Sequence, residues 1–374
     1  MVTRTTTLTD HTLDTLARRA PATDDLLELA AWLHANGHRH LSAIERVELA
    51  ERLISRRRFL IGAGALLLAG CGAPGASAPT ATVAATRTIT DHAGRSITIP
   101  VDPQRVVAGY TTDIDVALVL GLPLIGGPGA RGLATQPFVP YQPQEQLASL
   151  TRITTFPEAN LEQIAALQPD LIIDSVGDYI EGRYALLSQI APTFDVSGPA
   201  GDGWRAYLRA VAEPLGRAAQ AEQFIAEYEA RAADLRARLA ERLPNATFAL
   251  IGAYEPGTVW VSDVQMHPVK VLADDLGLRP AAIMPATSAD RPNLSLERLD
   301  LLDEVNLLFL RVEPLESGAG RDRSIHDPLK ASPLWQRLPA VQNGGLIEYD
   351  AELFYSSPLT AMALLDVVEQ ALLS

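Results

Sequence analysis

Cysteine and lysine are nearly absent from this chain. Its 374 residues include a single cysteine, Cys71, which excludes an intramolecular disulfide framework and any cysteine-rich zinc or iron–sulfur site. The only lysines are Lys270 and Lys330, and no patch rich in lysine and arginine occurs beyond the first 60 residues. Because nucleic-acid binding relies on such a basic patch, the composition argues against that class of partner.

Histidine is also scarce after Cys71. The histidines of that part of the chain are His92, His267 and His326. His92 falls in a predicted hairpin turn, Asp91–Arg95, and is therefore separated from the other two. A three-histidine site for a bare metal ion is not expected.

The composition is that of a folded, acidic protein. Hydrophobic residues make up 47% of the chain, and 45 acidic against 31 basic residues give a formal net charge of −14. Such a chain forms one or two folded units and is not disordered. It lacks a Gly-x-Ser-x-Gly elbow, a P-loop and a His-Glu-x-x-His pair, and we interpret Asp274-Asp275 as surface acids at the end of an apolar helix. We therefore do not expect an enzyme.

An export signal with a lipobox is predicted over residues 55–71. The arginine-rich segment Ser55–Leu60 resembles a twin-arginine export signal, and Leu68–Cys71 resembles a bacterial lipobox. The apolar run between them, Phe59–Ala69, is too short to span a membrane, which needs about 20 residues of helix. Cleavage before Cys71 would leave its thiol carrying a diacylglycerol anchor. The alternative is an N-terminal apolar helix with an incidental cysteine.

The segments on either side of this signal have different predicted roles. Residues 72–85, which are nearly all small or proline, predict a flexible tether. Residues 1–54 form an N-terminal extension to which the sequence assigns no role. The working protein is thus predicted to be extracytoplasmic, in the periplasm or at the cell surface, and attached to the cell membrane only through its lipid anchor.

From Arg87 onward the pattern is that of an α/β protein. Short β-branched runs alternate with longer helical stretches, which favours sheets covered by helices. The predicted strands are Arg105–Ala108, Leu171–Asp174, Phe248–Gly252, Val305–Leu310 and Gly345–Tyr349.

Two segments of this pattern occur twice. Asp115–Pro123 is echoed by Val271–Pro280, and each is an apolar helix that ends at a glycine. Asn160–Ile173 is likewise echoed by Ser295–Leu308. Two copies of a helix–strand unit predict two similar lobes.

A long helix is predicted between the two copies. Apolar residues recur at helical spacing over Arg217–Leu243, and at ~1.5 Å per residue such a helix spans about 40 Å. The predicted fold is therefore α/β, with Rossmann-like lobes at 86–212 and 245–374. One long α-helix within 213–244 joins the lobes, and a ligand cleft lies between them.

Three motifs carry a resemblance to a known family, namely Ile99–Val107, Asn160–Ile173 and Pro333–Asn343. Together with the doubled lobe and the lipobox, they make the chain resemble the substrate-binding components of iron–siderophore and cobalamin ABC importers, in the class whose lobes are joined by a helix. The resemblance implies a monomer without a cofactor that captures a ferric siderophore and presents it to an ABC permease and its ATPase subunits. Cobalamin or haem bound by the same fold are alternatives, with His267, Tyr179 or Tyr355 available to haem.

The resemblance implies that the ligand sits on loops that follow strands. A ferric siderophore is bulky and rich in oxygen, so aromatic faces and arginines suit it, while the iron needs no ligand from the protein. The predicted binding residues are Tyr110, Arg131, Tyr179, Arg183, Tyr254, Trp260, Arg291, Arg311 and Tyr355. Hydroxamate-binding members have a tyrosine about where Tyr179 stands, but Phe156 replaces the arginine that they carry before the Asn-Leu-Glu motif.

Two glutamates, one in each lobe, occupy matching places in the repeated helix. Glu162 follows Asn160 by two residues, and Glu297 follows Ser295 in the same way. The start of a helix stabilises such a carboxylate by ~0.3–1 kcal/mol, which is the simple interpretation. In the cobalamin-binding relative a glutamate of each lobe at these positions meets arginines of the permease, so the resemblance implies a docking role.

Overall fold

A computed structural model describes residues 85–197, 203–253, 255–314 and 321–374. The predicted N-terminal extension and signal peptide, with Cys71, lie outside the described residues, as does Tyr254. None of the helices in the described ranges is both long enough and apolar enough to cross a membrane.

The described chain begins with a small β-hairpin. Strands β1 (Thr86–Thr90) and β2 (Ser96–Pro100) pair in the antiparallel direction, which confirms the predicted turn. The carboxylate of Asp91 accepts hydrogen bonds from the backbone N–H and the Nε of Arg95, both at 2.7 Å. Arg95 also forms an ion pair with Asp195, which fastens the hairpin to the first lobe.

Five parallel strands form the sheet of the first lobe. They are β3 (Val106–Ala108), β4 (Leu124–Gly127), β5 (Thr151–Arg152), β6 (Leu171–Asp174) and β7 (Thr193–Asp195). Their order is β5-β4-β3-β6-β7, so the direction of progression reverses between β3 and β6. In open α/β sheets, ligands bind outside the carboxyl ends of the strands at such a reversal.

Short helices follow these strands. They are α1 (Thr111–Val119), α2 (Gln144–Leu147), α3 (Leu161–Ala166), α4 (Arg183–Leu187) and α5 (Gly203–Ala212), with single 3₁₀ turns at Ala130–Gly132 and Gly177–Tyr179. β3 and β6 are buried along their whole length, as expected for strands of a sheet with both faces covered.

One helix of 25 residues, α6 (Ala218–Arg242), leads from the first lobe to the second and lies inside the predicted segment 213–244. Its buried residues recur at intervals of three or four: Ala221, Ile225, Tyr228, Ala232, Leu235 and Leu239. This spacing keeps them on one face of the helix. At ~1.5 Å per residue the helix is about 37 Å long.

The sheet of the second lobe has seven strands and mixed directions. They are β8 (Thr247–Gly252), β9 (Thr258–Val261), β10 (Arg279–Pro280), β11 (Asn293–Ser295), β12 (Leu307–Pro314), β13 (Arg321–Asp322) and β14 (Leu346–Asp350). β10 and β12 pair with β8 in parallel, and β14 with β12, whereas β9, β11 and β13 are antiparallel to the strands they pair with.

The helices of the second lobe are mostly single turns. They are α7 (His267–Lys270), α8 (Asp327–Ala331), α9 (Pro333–Arg337), α10 (Pro339–Gln342) and the longer α11 (Pro358–Leu372). A π turn at Val271–Asp275 directly follows α7. The 3₁₀ turns of this lobe are Ser288–Asp290, Leu296–Leu302, Ser324–His326 and Ala351–Phe354.

The repeated segments of the sequence occupy equivalent places in the two lobes. In the first lobe, α1 leads into β4 and α3 leads into β6, and these strands flank β3. In the second lobe, the π turn leads into β10 and the Leu296–Leu302 turn leads into β12, and these strands flank β8. The repeated segments thus form matching units in the two lobes, as the prediction of two similar lobes requires.

A single buried apolar cluster runs through both lobes. It includes Val106 and Leu171 of the first sheet, Tyr228 of α6, and Phe248 and Leu308 of the second sheet. The last helix, α11, packs against α1, α5 and α6. Because a wide separation of the lobes would expose this shared core to water, at ~25 cal/mol per Å² of apolar surface, we expect only small movements between them.

Candidate functional site

The two lobes touch at the carboxyl end of β3. Tyr110 follows β3 directly and stands at the N-cap position of α1, while Tyr355 follows the 3₁₀ turn after β14. The hydroxyl of Tyr110 donates a hydrogen bond to the hydroxyl of Tyr355 at 3.3 Å, and their rings meet edge to face with centroids 5.7 Å apart. This contact lies beside the reversal of strand order, which is where a ligand is expected.

Five aromatic side chains form a continuous row through this contact. In order of contact the row is Phe156, Tyr110, Tyr355, Phe354 and Trp260, and we call it the aromatic row. Successive ring centroids are 5.6, 5.7, 6.5 and 6.5 Å apart, and every pair meets edge to face, a geometry favoured between aromatic rings. The row joins the first lobe to β9 of the second. Trp260 at its end is buried, whereas the other four rings are partly exposed.

Gly252 makes room for Trp260 at the end of the row. A Cβ atom added to Gly252 would lie 2.4 Å from Cζ2 of the indole ring, which is far inside van der Waals contact. The two residues are paired across β8 and β9. Glycine is therefore required on β8 because the indole packs directly on its backbone.

Four charged side chains lie against the aromatic row, and we call them the ion-pair cluster: Arg131, Arg311, Glu313 and Glu352. Arg131 of the first lobe forms an ion pair with Glu313, and its Nε lies 3.6 Å from Oε1 of Glu352. Nη2 of Arg311 lies 2.9 Å from Oε1 of Glu313. The guanidinium carbon of Arg311 is also 5.0 Å from the ring centroid of Phe354, within the range of a cation–π contact.

Burial controls protonation in this cluster. The side chain of Glu352 is only 2% exposed, and burial raises its pKa to about 7, against the effects of Arg131 and Arg311, which lower it. Asp350 raises the pKa of Glu352 further by charge repulsion. Burial also raises the pKa of Tyr110 well above its ordinary value, so its hydroxyl remains a hydrogen-bond donor.

The structure places Arg183 beneath the cleft surface. Its side chain is 3% exposed and is paired with the buried Asp174, with Nη2 2.8 Å from Oδ1 and Nε 2.9 Å from Oδ2. It also donates hydrogen bonds to the backbone carbonyls of Thr155, at 2.5 Å, and Gly109, at 3.1 Å. Gly109 and Thr155 lie in the loops after β3 and β5, and Asp174 ends β6, so Arg183 fixes the floor of the site and does not itself line it.

Two further predicted residues stand apart from the aromatic row. Tyr179 is 86% exposed on the 3₁₀ turn after β6, at the same edge of the first sheet as Tyr110. Arg291 pairs with the buried Asp263, with Nε 2.7 Å from Oδ2, and Nη2 donates to Sδ of Met266 at 2.8 Å. Its charge is thus neutralised beside the outer edge of the second sheet.

Sequence reasoning missed the two carboxylates of the ion-pair cluster. Glu313 lies two residues after Arg311 on β12, so both fall on one face of the strand, and this alternation is the signal that could have found it. Glu352 carries no comparable signal, because its nearest cation, Arg131, comes from the other lobe.

The described residues contain no group of three or more histidine, cysteine, aspartate or glutamate side chains that could hold a metal ion. His267, one of the residues considered for haem, is buried with Nε2 3.2 Å from Oγ1 of Thr360. Burial lowers its pKa to about 3, and Arg205 and Lys270 act in the same direction.

Glu162 and Glu297 are both exposed in the first turn of the helices that the sequence repeat predicts. The Asn160 side chain caps α3 by accepting a hydrogen bond from the backbone N–H of Gln163 at 3.0 Å. Ser295 instead donates its hydroxyl to Oε2 of Glu297 at 3.1 Å. Neither glutamate forms an ion pair within the described part of the chain, so each presents its charge to solvent.

Residues 106–353 match the family model of the periplasmic binding proteins. The chain is 26% identical over 273 residues to the probable siderophore-binding lipoprotein YfiY of Bacillus subtilis (strain 168), a match that covers 71% of this chain and 80% of that protein. It is 28% identical over 289 residues to the ferric enterobactin-binding periplasmic protein FepB of Escherichia coli O6:H1, covering 75% of this chain and 89% of that protein.

Solved structures share the fold. The Staphylococcus aureus SirA structure, complexed with staphyloferrin B, matches with a TM-score of 0.59 and 21% identity, covering 77% of this chain and 98% of that chain. The siderophore periplasmic binding protein from the fuscachelin gene cluster of Thermobifida fusca matches with a TM-score of 0.56 and 27% identity, covering 73% and 98%. These matches confirm the predicted two-lobed α/β fold.

Proposed function

Because the chain belongs to the periplasmic binding protein family, we propose that it captures a ferric siderophore outside the cytoplasmic membrane and delivers it to an ABC importer. The observation that carries this proposal is the aromatic row with two arginines, placed between the lobes at the reversal of strand order. The similarity to YfiY and FepB, whose names state siderophore and ferric enterobactin binding, supports the substrate class. The iron stays within its chelator, so the site needs no metal ligands from the protein.

The proposed binding set is narrower than the set that the sequence predicts. It comprises Tyr110, Arg131, Trp260, Arg311 and Tyr355, all of which belong to the aromatic row or the ion-pair cluster. Tyr179 stands at the rim, where its exposed ring could cover a bound chelate, and Tyr254 remains a prediction. Arg183 and Arg291 support the site through buried carboxylates and are left out of the binding set.

A titration of intrinsic fluorescence tests this proposal. Trp260 lies in the row, and a ferric chelate bound beside it should quench its emission. We expect saturable quenching of the purified protein by at least one ferric siderophore, and none by cobalamin or haemin at equal concentration. A Trp260→Phe variant should lose most of the signal but still retain the ligand on gel filtration. Saturable binding of cobalamin or haemin, with no response to any ferric chelate, would contradict the proposal.

We further propose that Glu162 and Glu297 dock the protein on its permease. Both carboxylates are exposed, and one comes from each lobe. A Glu162→Arg/Glu297→Arg variant should keep its ligand affinity and lose most of the uptake in cells, while Glu241→Arg, a charge reversal on the exposed side of α6, should leave uptake unchanged. Unchanged uptake in the double variant would refute the docking role.

The N-terminal signal completes the proposal of a membrane-anchored lipoprotein. Modification at Cys71 would tether the protein to the cell membrane, and the arginine pair Arg56-Arg57 would select the twin-arginine route. A Cys71→Ser variant should lose incorporation of labelled palmitate and leave the membrane fraction. An Arg56→Lys/Arg57→Lys variant should remain in the cytoplasm if the twin-arginine route is used. The anchored protein should sediment as a monomer once it is released by detergent.

A further inference from the structure

The arginines of the cleft are already in contact with carboxyl groups of this chain. Glu313 is paired with both Arg131 and Arg311, and Oε1 of Glu352 lies 3.6 Å from Arg131. The ion-pair cluster therefore contains two guanidinium groups and two carboxyl groups within a few ångströms of one another. An anionic chelate would have to compete with these carboxylates for each arginine.

Glu352 also has an unused acceptor. Its side chain is only 2% exposed, yet its second oxygen, Oε2, has no hydrogen-bond partner among the described residues. A buried carboxylate oxygen without a donor is costly, so a ligand that brings an N–H or ammonium group there gains more than one that brings further oxygens. Glu352 belongs to the turn Ala351–Phe354, which also holds Phe354 of the aromatic row, so this buried acceptor lies within one turn of the row.

Two other features favour a positive group at the same place. The guanidinium carbon of Arg311 lies within 5.9 Å of the ring centroids of Phe354 and Trp260, so these rings stabilise a positive charge at this end of the row. The formal net charge of the chain, −14, also attracts cationic ligands and repels anionic ones at long range.

We propose that the cleft selects a ferric chelate with no net negative charge, and that Glu313 and Glu352 hold an amine-bearing part of it. This inference rests on the proposed function and specifies its substrate class. A ferric tris-hydroxamate satisfies it, because its three hydroxamates neutralise the iron and a pendant ammonium group sets the net charge. A ferric tris-catecholate, which is a trianion, does not.

Matched ligands test the inference. The probes are the ferric complexes of desferrioxamine B, which carries one ammonium group, of its N-acetyl derivative, which carries none, and of a tris-catecholate, each titrated against the purified protein at neutral pH. We expect the ammonium-bearing chelate to bind about tenfold or more tighter than its acetylated form, the size expected for one charge-assisted hydrogen bond. The tris-catecholate should bind weakest.

Glutamine variants locate the selectivity. Glu313→Gln and Glu352→Gln should each bring the affinities for the ammonium-bearing and acetylated chelates close to one another and improve tris-catecholate binding. Glu222→Gln removes an ion-paired carboxylate on α6, outside the cleft, and should leave the ratio unchanged. Circular dichroism checks that each variant is folded, and either glutamine variant alone is sufficient if the other does not fold.

The outcomes separate the two proposals. If the tris-catecholate binds most tightly to the unmodified protein, or if the affinity ratio is the same in every folded glutamine variant, the charge selectivity is refuted while siderophore binding stands. If no ferric chelate of any charge binds, the proposed function itself fails.

Discussion

Replacing Arg183 should destabilise the fold far more than it weakens ligand binding. Arg183 and Asp174 are 3% and 1% exposed, and their ion pair has contacts of 2.8 and 2.9 Å. An Arg183→Met substitution leaves the Asp174 carboxylate buried without its cation and removes the donors to the carbonyls of Thr155 and Gly109. Breaking one side of such a pair costs ~3–5 kcal/mol of unfolding free energy.

A double-mutant cycle measures this effect. Urea unfolding followed by circular dichroism gives the unfolding free energies of Arg183→Met, Asp174→Asn and the double variant. The double variant should be more stable than Arg183→Met, because the unpaired charge is gone. Arg183→Lys should also be destabilised, since lysine cannot bond the carboxylate at two points. A stability loss below ~1 kcal/mol for Arg183→Met, together with a large loss of ligand affinity, would refute the structural role.

Three further predictions concern the buried polar groups and the packing at the cleft. Burial raises the pKa of Asp113 to about 8 and that of Asp115 to about 7, so the folded protein holds protons that the unfolded chain has lost. Stability should therefore fall as pH rises from about 6.5 to 8, by on the order of 1–3 kcal/mol, and Asp113→Asn should flatten the fall in urea titrations at each pH; a rise in stability over that range would contradict this. Gly252→Ala should cost ~1–3 kcal/mol in thermal unfolding and weaken ligand binding because the new methyl group displaces Trp260; unchanged Trp260 emission and affinity would contradict it. Ser357→Ala removes the N-cap of α11 and a hydrogen bond to Asp115, and should lower the unfolding free energy by ~1–2 kcal/mol. Ser356→Ala, which changes an exposed neighbour, should leave the unfolding free energy unchanged.

The fold was predictable because it depends on local periodicity. The predicted strand Leu171–Asp174 coincides with β6, and Phe248–Gly252 differs from β8 by one residue. The spacing of apolar residues also predicts α6, because residues three or four positions apart lie on the same face of a helix. The echo of Asn160–Ile173 by Ser295–Leu308 predicts the two matching strands, although the second copy forms a 3₁₀ helix in place of an α-helix.

The site was only partly predictable because its contacts join distant parts of the chain. Tyr110 and Tyr355 were identified from their positions after a strand and before a helix, but their contact depends on how the lobes pack. The burial of Arg183 was not predictable, because nothing local shows that α4 turns its first side chain inward, toward Asp174. Glu352 was missed because most glutamates are exposed to solvent, and nothing in the sequence near Glu352 indicates that it is buried.

The shared core of the two lobes has a kinetic consequence for transport. If the chain delivers its ligand to a permease as proposed, the small movements expected between its lobes would leave the outer surface nearly the same in the empty and loaded forms. The permease would then have little difference in shape by which to reject the empty form. Empty receptors should then occupy the permease and compete with loaded ones. Import would be fastest at an intermediate number of receptors per permease and would slow when receptors are produced in excess over their cargo.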